Sequence, residues 1–228
     1  MSIVPFQAKA ELLLRTAGIL PIVTVDSVDE AHKTVSALRS GGLSVIELTL
    51  HTPIAVEALT QLKKEYPDTL IGAGSILNEQ QIAQAADAGA DFLTTPCTQP
   101  LLVETLAAIT LPCIPGAATP SELLTLMERG FRVCKMFPVS TLGGPVIVQE
   151  MGRILPELKL CPTGGITEET AASYLALENV PCISDSWMVS KRWIADGDWG
   201  KITKSAAKAA AIIGQSREKR GGGLLRWR

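Results

Sequence analysis

The run FRVCKMFP, residues 131–138, sets Lys135 among apolar residues that otherwise spell a buried β-strand. An ammonium is costly to bury unless a neighbour neutralises or uses it. Strand alternation puts Val133, Lys135 and Phe137 on one face and Cys134 and Met136 on the other. A second run, SVIELTLH, carries Val45, Glu47, Thr49 and His51 on one face and Ile46, Leu48 and Leu50 on the opposite one. A lysine held partly neutral by desolvation is a nucleophile toward carbonyl carbon. The plainer alternative for Glu47 is a buried ion pair that only fixes strand register. A third feature is CPTGGITEE, in which Gly164 and Gly165 follow Thr163 and precede a helix expected to carry Thr167, Glu168 and Glu169 in its first turn. Two glycines there let backbone N–H groups approach an anion; a simple tight turn is the alternative.

These residues need a scaffold that points them at one another. Short β-rich runs recur along the chain: ILPIVTV, SVIELTL, LIGAG, DFLTT, PCIPG, RVCKMF, LKLCPT and PCISDS. Helix-like segments lie between them. VDEAHKTVSALRSGG stops at two glycines, and TPSELLTLMERG opens with a threonine cap, a proline and a later glutamate. NEQQIAQAADAGA, ITEETAASYLAL and WGKITKSAAKAAAIIG read as helices too, whereas PVIVQEMGRIL passes for strand on composition alone. Alternating strands and helices make a parallel sheet. Eight such units predict an α/β fold, a compact (β/α)8 TIM barrel, with an added N-terminal helix over residues 6–17. A doubly wound open sheet ranks second, since no GxGxxG follows the first strand. In a barrel the face of Glu47, Thr49 and His51 turns inward and rises toward the C-terminal mouth, where barrel active sites lie. Lys135 then comes within reach of Glu47. Lys159 begins its strand, at the opposite end, and reads as structural. The mouth also makes the Gly164–Gly165 turn a phosphate site, because barrels bind phosphate at the loops after strands seven and eight.

With 228 residues, 46% of them hydrophobic, the chain can bury one well-filled core, assigned to residues 1–214 as a single domain. The rest, 215–228, reads as a flexible tail in which Gly221, Gly222 and Gly223 form a hinge before Leu224, Leu225 and Trp227; a terminal extension and a docking peptide are both open readings. A net charge of −2 gives no overall signature of nucleic-acid binding, and no apolar run approaches the ~20 residues that span a bilayer. The N-terminus lacks signal-peptide features. Five cysteines without a CxxC pair, and only two histidines, exclude zinc-finger spacing and fit reduced core thiols in a cytoplasmic protein, with Cys97 alone in a loop.

IELTLHTP, IGAGSILNEQQ, KMFPVSTLGG and CPTGGI, in this order, resemble the 2-keto-3-deoxy-6-phosphogluconate (KDPG) and 4-hydroxy-2-oxoglutarate (KHG) aldolases over residues 6–214. The resemblance implies a class I aldolase, homotrimeric and free of metal or organic cofactor, whose small-molecule substrate yields pyruvate and glyceraldehyde 3-phosphate. It makes Lys135 the Schiff-base lysine and Glu47 the general acid/base. Ser75 and Thr163 fall near the substrate carboxylate, Phe137 beside the imine and Pro96 at the mouth. Gly164, Gly165 and Ser186 fall at the phosphate end, and Ser184 is counted among the substrate-binding residues.

Departures from the pattern bear on specificity. His51 stands where the family has an arginine, and losing that charge-assisted bond implies about 1.5–3 kcal/mol weaker grip on a pyruvyl carboxylate. Ser184 and Asp185 replace a pair of glycines, Cys97 replaces a glycine and Ala118 a serine. Two rival expectations follow: an aldolase for an unphosphorylated or differently configured hydroxy-keto acid such as 4-hydroxy-2-oxoglutarate, or a non-catalytic metabolite-binding barrel.

Overall fold

The computed structural model describes residues 7–219 and residue 221. In chain order it contains α1 (Gln7–Ala17), β1 (Ile19–Val23), α2 (Val28–Ser40), β2 (Val45–Thr49), α3 (Ala55–Glu65), β3 (Leu70–Gly74), α4 (Glu79–Asp87), β4 (Leu93–Thr94) and α5 (Pro100–Ala108). There follow β5 (Cys113–Ile114), β6 (Gly116–Ala117), α6 (Pro120–Glu128), β7 (Val133–Met136), α7 (Pro145–Ile154), β8 (Lys159–Pro162), α8 (Ala171–Leu175), β9 (Ile183–Asp185), α9 (Lys191–Ala195) and α10 (Trp199–Lys219). All strand pairs are parallel.

The strands run β5-β4-β3-β2-β1-β9 in one sheet and β6-β7-β8 in another. Two junctions join the sheets into a ring. At one, the fifth run of the sequence is cut by Pro115, which has no N–H to donate. Before it, Cys113 and Ile114 pair with Leu93 and Thr94; after it, Gly116 and Ala117 pair with Lys135 and Met136. The Pro115 carbonyl itself accepts from Lys135 N–H at 2.8 Å. At the other junction Thr163 bridges Ser184 in parallel. The result is the expected barrel, with its fifth strand in two pieces.

Local sequence explains several helices. Thr119 and Glu122 form a reciprocal capping box with Pro120 in the first turn of α6, while Ser27 and Asn78 cap α2 and α4. PVIVQEMGRIL is helix, since Pro145 is tolerated in a first turn and Val148 and Met151 supply its buried stripe. The patterning does not single out α3 and α5. Thr167, Glu168 and Glu169 precede α8 rather than opening it, because the helix begins at Ala171. The C-terminal boundary also moves: α10 continues to Lys219, so residues 215–219 are helix rather than tail. Arg217 ties this end to the body by donating to the carbonyls of Arg15 and Thr16 at 2.7 and 2.8 Å. Residues 222–228, including Leu224, Leu225 and Trp227, lie outside the described residues. No helix among the described residues is long and apolar enough to cross a membrane.

A large cluster fills the space between barrel and helices, and a smaller one fills the barrel's N-terminal half. There Leu20, Val45, Phe92, Ile114, Val133, Cys161 and Cys182 meet Ala10, Leu13, Leu14 and Ala17 of α1, which plugs the bottom. Gln7 adds the polar part of the plug. Its side-chain oxygen accepts from Arg132 and Val133 N–H at 2.9 and 3.0 Å, and its amide donates to Cys113 O at 3.2 Å. The start of the strand that carries Lys135 is thereby anchored.

Candidate active site

On five of the strands the inward side chains change character two residues further along. Val45 is followed by Glu47, Phe92 by Thr94, Val133 by Lys135, Cys161 by Thr163 and Cys182 by Ser184. A period of two keeps each pair on one face, so an apolar layer below carries a polar layer above. All five upper residues are buried.

Lys135 and Glu47 face each other across the barrel with side chains only 4% and 1% exposed. Lys135 Nζ donates to Glu47 Oε1 and Oε2 at 2.9 and 2.8 Å and to Thr94 Oγ1 at 3.2 Å. All three ammonium hydrogens therefore have acceptors. The charge is felt one layer down. Burial and the adjacent Cys161 thiol push Cys182 well above the usual thiol range, and the Lys135 cation acts in the opposite sense.

Glu47 is held by absence as well as by contact. A Cβ built on Gly74 of β3 would fall on the Glu47 carboxylate, and one on Gly72 would fall on the Phe92 ring. The two glycines of LIGAG make room for one residue in each layer. Ser75 follows at once with φ 60°, a left-handed conformation rare outside glycine and associated with functional strain. Further up, Thr49 and Thr24 share a 2.8 Å hydroxyl contact.

The family model for KDPG and KHG aldolases matches residues 10–205. The chain belongs to that family. It is 38% identical to the KHG/KDPG aldolase of Escherichia coli K12 over 205 residues, 90% of this chain and 96% of that one. Among solved structures it resembles the KDPG aldolase of Legionella pneumophila, described with pyruvate captured as a covalent carbinolamine intermediate (TM-score 0.85, 32% identity, 88% and 97% of the two chains). It also resembles the Zymomonas mobilis ZM4 KDPG aldolase with 3-phosphoglycerate (TM-score 0.85, 32% identity, 90% and 97%).

Within this aldolase fold the expected residues divide into two groups. Lys135, Glu47 and Thr163 share the inner polar layer, Thr163 donating its hydroxyl to Cys161 O at 3.1 Å. Phe137 is more than a third exposed, and its ring lies against Gly164. Ser75 and Pro96 are half-buried at the strand ends, where the Pro96 carbonyl closes over Gly116. Gly164 and Gly165 have φ of 95° and 78°, and Ser186 is exposed beside their loop. Lys159 opens β8 at the far end of the barrel.

Two expectations need correction. His51 is not on the strand face with Glu47, because β2 ends at Thr49 and His51 is exposed in the turn beyond. Ser184 does not face a ligand loop. It is fully buried in β9 and donates its hydroxyl to Leu20 O at 3.0 Å, serving the barrel wall. Thr94 and Gly74 join the layer without a motif that singles them out. The alternation in DFLTT, with Phe92 inward, places Thr94 inward too; Gly74 becomes legible only once Glu47 is known to cross to β3.

Replacing Lys135 by Met leaves a buried carboxylate unpaired and is expected to cost about 3–5 kcal/mol in urea unfolding at neutral pH. The Lys135→Met/Glu47→Leu pair should recover most of that loss; equal instability of the single and double variants would contradict a closed ion pair. Gly74→Ala should leave the protein folded, as judged by circular dichroism, and lower kcat about 100-fold by displacing Glu47. Unchanged kcat would show that Glu47 tolerates the shift.

Proposed function

We propose that this chain cleaves 4-hydroxy-2-keto acids to pyruvate and an aldehyde through an imine on Lys135, with KDPG the substrate that the names of its relatives support first. The observation that carries the proposal is the buried contact of one amine with one carboxylate in the polar layer of the barrel, in a chain whose Legionella pneumophila neighbour is described with a carbinolamine of pyruvate.

The chemistry closes with these two groups. A proton passed from Nζ to Glu47 frees the amine lone pair, which adds to the C2 carbonyl to give a carbinolamine. Glu47 returns the proton to the departing oxygen, water leaves and a protonated imine forms. Carboxylate Glu47 then takes the C4 hydroxyl proton while the C3–C4 bonding pair moves into the imine, which becomes an enamine as the aldehyde departs. The same proton is delivered to C3. Hydrolysis of the resulting imine releases pyruvate and restores the amine. Thr94 positions Nζ throughout, and Thr163 and Ser75 are assigned to the pyruvyl end.

Specific features favour a second substrate class, hydroxy-keto acids without phosphate: His51 supplies no arginine fork, and the Asp185 carboxylate reaches from the end of β9 into the loop assigned to phosphate. A homotrimeric, cytoplasmic enzyme extends the same reading on the strength of the family resemblance.

Pyruvate with borohydride should leave one reduced pyruvyl adduct, located by peptide mass spectrometry on the fragment containing Lys135 and missing in Lys135→Ala. An adduct on Lys159, or one that survives Lys135→Ala, would overturn the mechanism.

A further inference from the structure

The turn after β8 already holds an anion, and it is the protein's own. Asp185 Oδ2 accepts from the N–H groups of Gly164 and Ile166 at 3.1 and 2.8 Å, and Oδ1 accepts from Ser186 N–H at 2.8 Å. The positive φ angles of Gly164 and Gly165 make the concave backbone of an anion-binding nest. Asp185 is the last residue of β9 and reaches this nest from the neighbouring strand, half-buried at the C-terminal end of the barrel. Its backbone pairs with Pro21 of β1, so its side chain starts from a fixed strand position rather than from a loose loop.

We propose that Asp185 is a specificity-determining residue: its carboxylate occupies the nest as an internal counterpart of a substrate phosphate. A second anion on the same N–H groups must displace the first or be repelled by it. The enzyme therefore draws little binding energy from a phosphate on the aldehyde end of its substrate. It turns over phosphorylated and unphosphorylated 4-hydroxy-2-keto acids with comparable kcat/KM. The kinetic half of this inference rests on the aldolase reading above; the binding half does not.

Two measurements separate them. Kinetically, the wild-type ratio of kcat/KM for KDPG over its dephosphorylated form should be near unity. Asp185→Gly should raise that ratio about ten- to a hundredfold, chiefly through KM for KDPG, the range expected when charge-assisted hydrogen bonds to phosphate become available. Asp185→Asn, which keeps size and removes charge, should raise it less and serves if the glycine variant is unstable. Independently of turnover, titration with inorganic phosphate followed by phosphorus NMR should show tighter binding to Asp185→Gly than to wild type. A wild type that strongly prefers KDPG, or variants that bind phosphate no better than wild type, would overturn the proposal. Failure of pyruvate trapping on Lys135 alongside a phosphate gain in Asp185→Gly would instead overturn the aldolase reading and leave the occupied nest standing.

Discussion

The polar layer of the barrel is arranged around one buried contact, the ammonium of Lys135 against the carboxylate of Glu47. Two charges in so dry a place are each expensive alone, and their attraction offsets desolvation only when geometry is good and the remaining hydrogens are satisfied. Thr94 takes the third hydrogen, Gly74 leaves space for the carboxylate, and the apolar layer with its α1 plug excludes water from below. Gln7 fixes the backbone at the start of β7 through two N–H groups, three and two residues before the lysine. Few of these features stabilise the fold better than an apolar replacement would. Their common effect is to hold an amine and a carboxylate at contact distance in a buried layer.

Imine chemistry fits this arrangement because the amine must lose its proton before it can attack. A carboxylate in direct contact is the nearest possible acceptor, and in the proposed mechanism it serves each later transfer. An isolated surface lysine has the same nucleophile without the partner. Lys159, half-buried where β8 begins at the other end of the barrel, lies outside the polar layer that holds Lys135.

Much of this was legible in the sequence because a parallel barrel obeys a period of two. Lys135 and Glu47 could be aimed inward from alternation alone, and the strand–helix rhythm gave the fold. Alternation fails where a strand stops. SVIELTLH continues the pattern through His51, yet the strand ends at Thr49 and the turn leaves the imidazole exposed. Pro115 splits a strand for a reason visible in the sequence, the missing N–H, but which neighbour each half would join depends on closure of the ring. Ser184 shows a different limit: its inward direction follows from parity, whereas its commitment to Leu20 O is a tertiary fact. Gly74 and the reach of Asp185 into the Gly164 turn are likewise relations between strands, which no single segment encodes.

The pyruvyl end and the aldehyde end are built from different parts. In the proposed reading, strand interiors supply the reacting groups, and the loops after β8 and β9 are assigned to the rest of the substrate. The Asp185 carboxylate bonds the Gly164 turn rather than the layer that holds Lys135, so the proposed control of substrate preference is separable from the imine chemistry. The central claim, that the buried pair opens to form an imine, is tested most directly by the crystal structure of the protein soaked in pyruvate. The account predicts continuous density from Lys135 Nζ to C2 of pyruvate, with the Glu47 carboxylate released from the amine and within hydrogen-bonding distance of the adduct. An intact Lys135–Glu47 pair with pyruvate bound elsewhere, or bonded to another lysine, would contradict it.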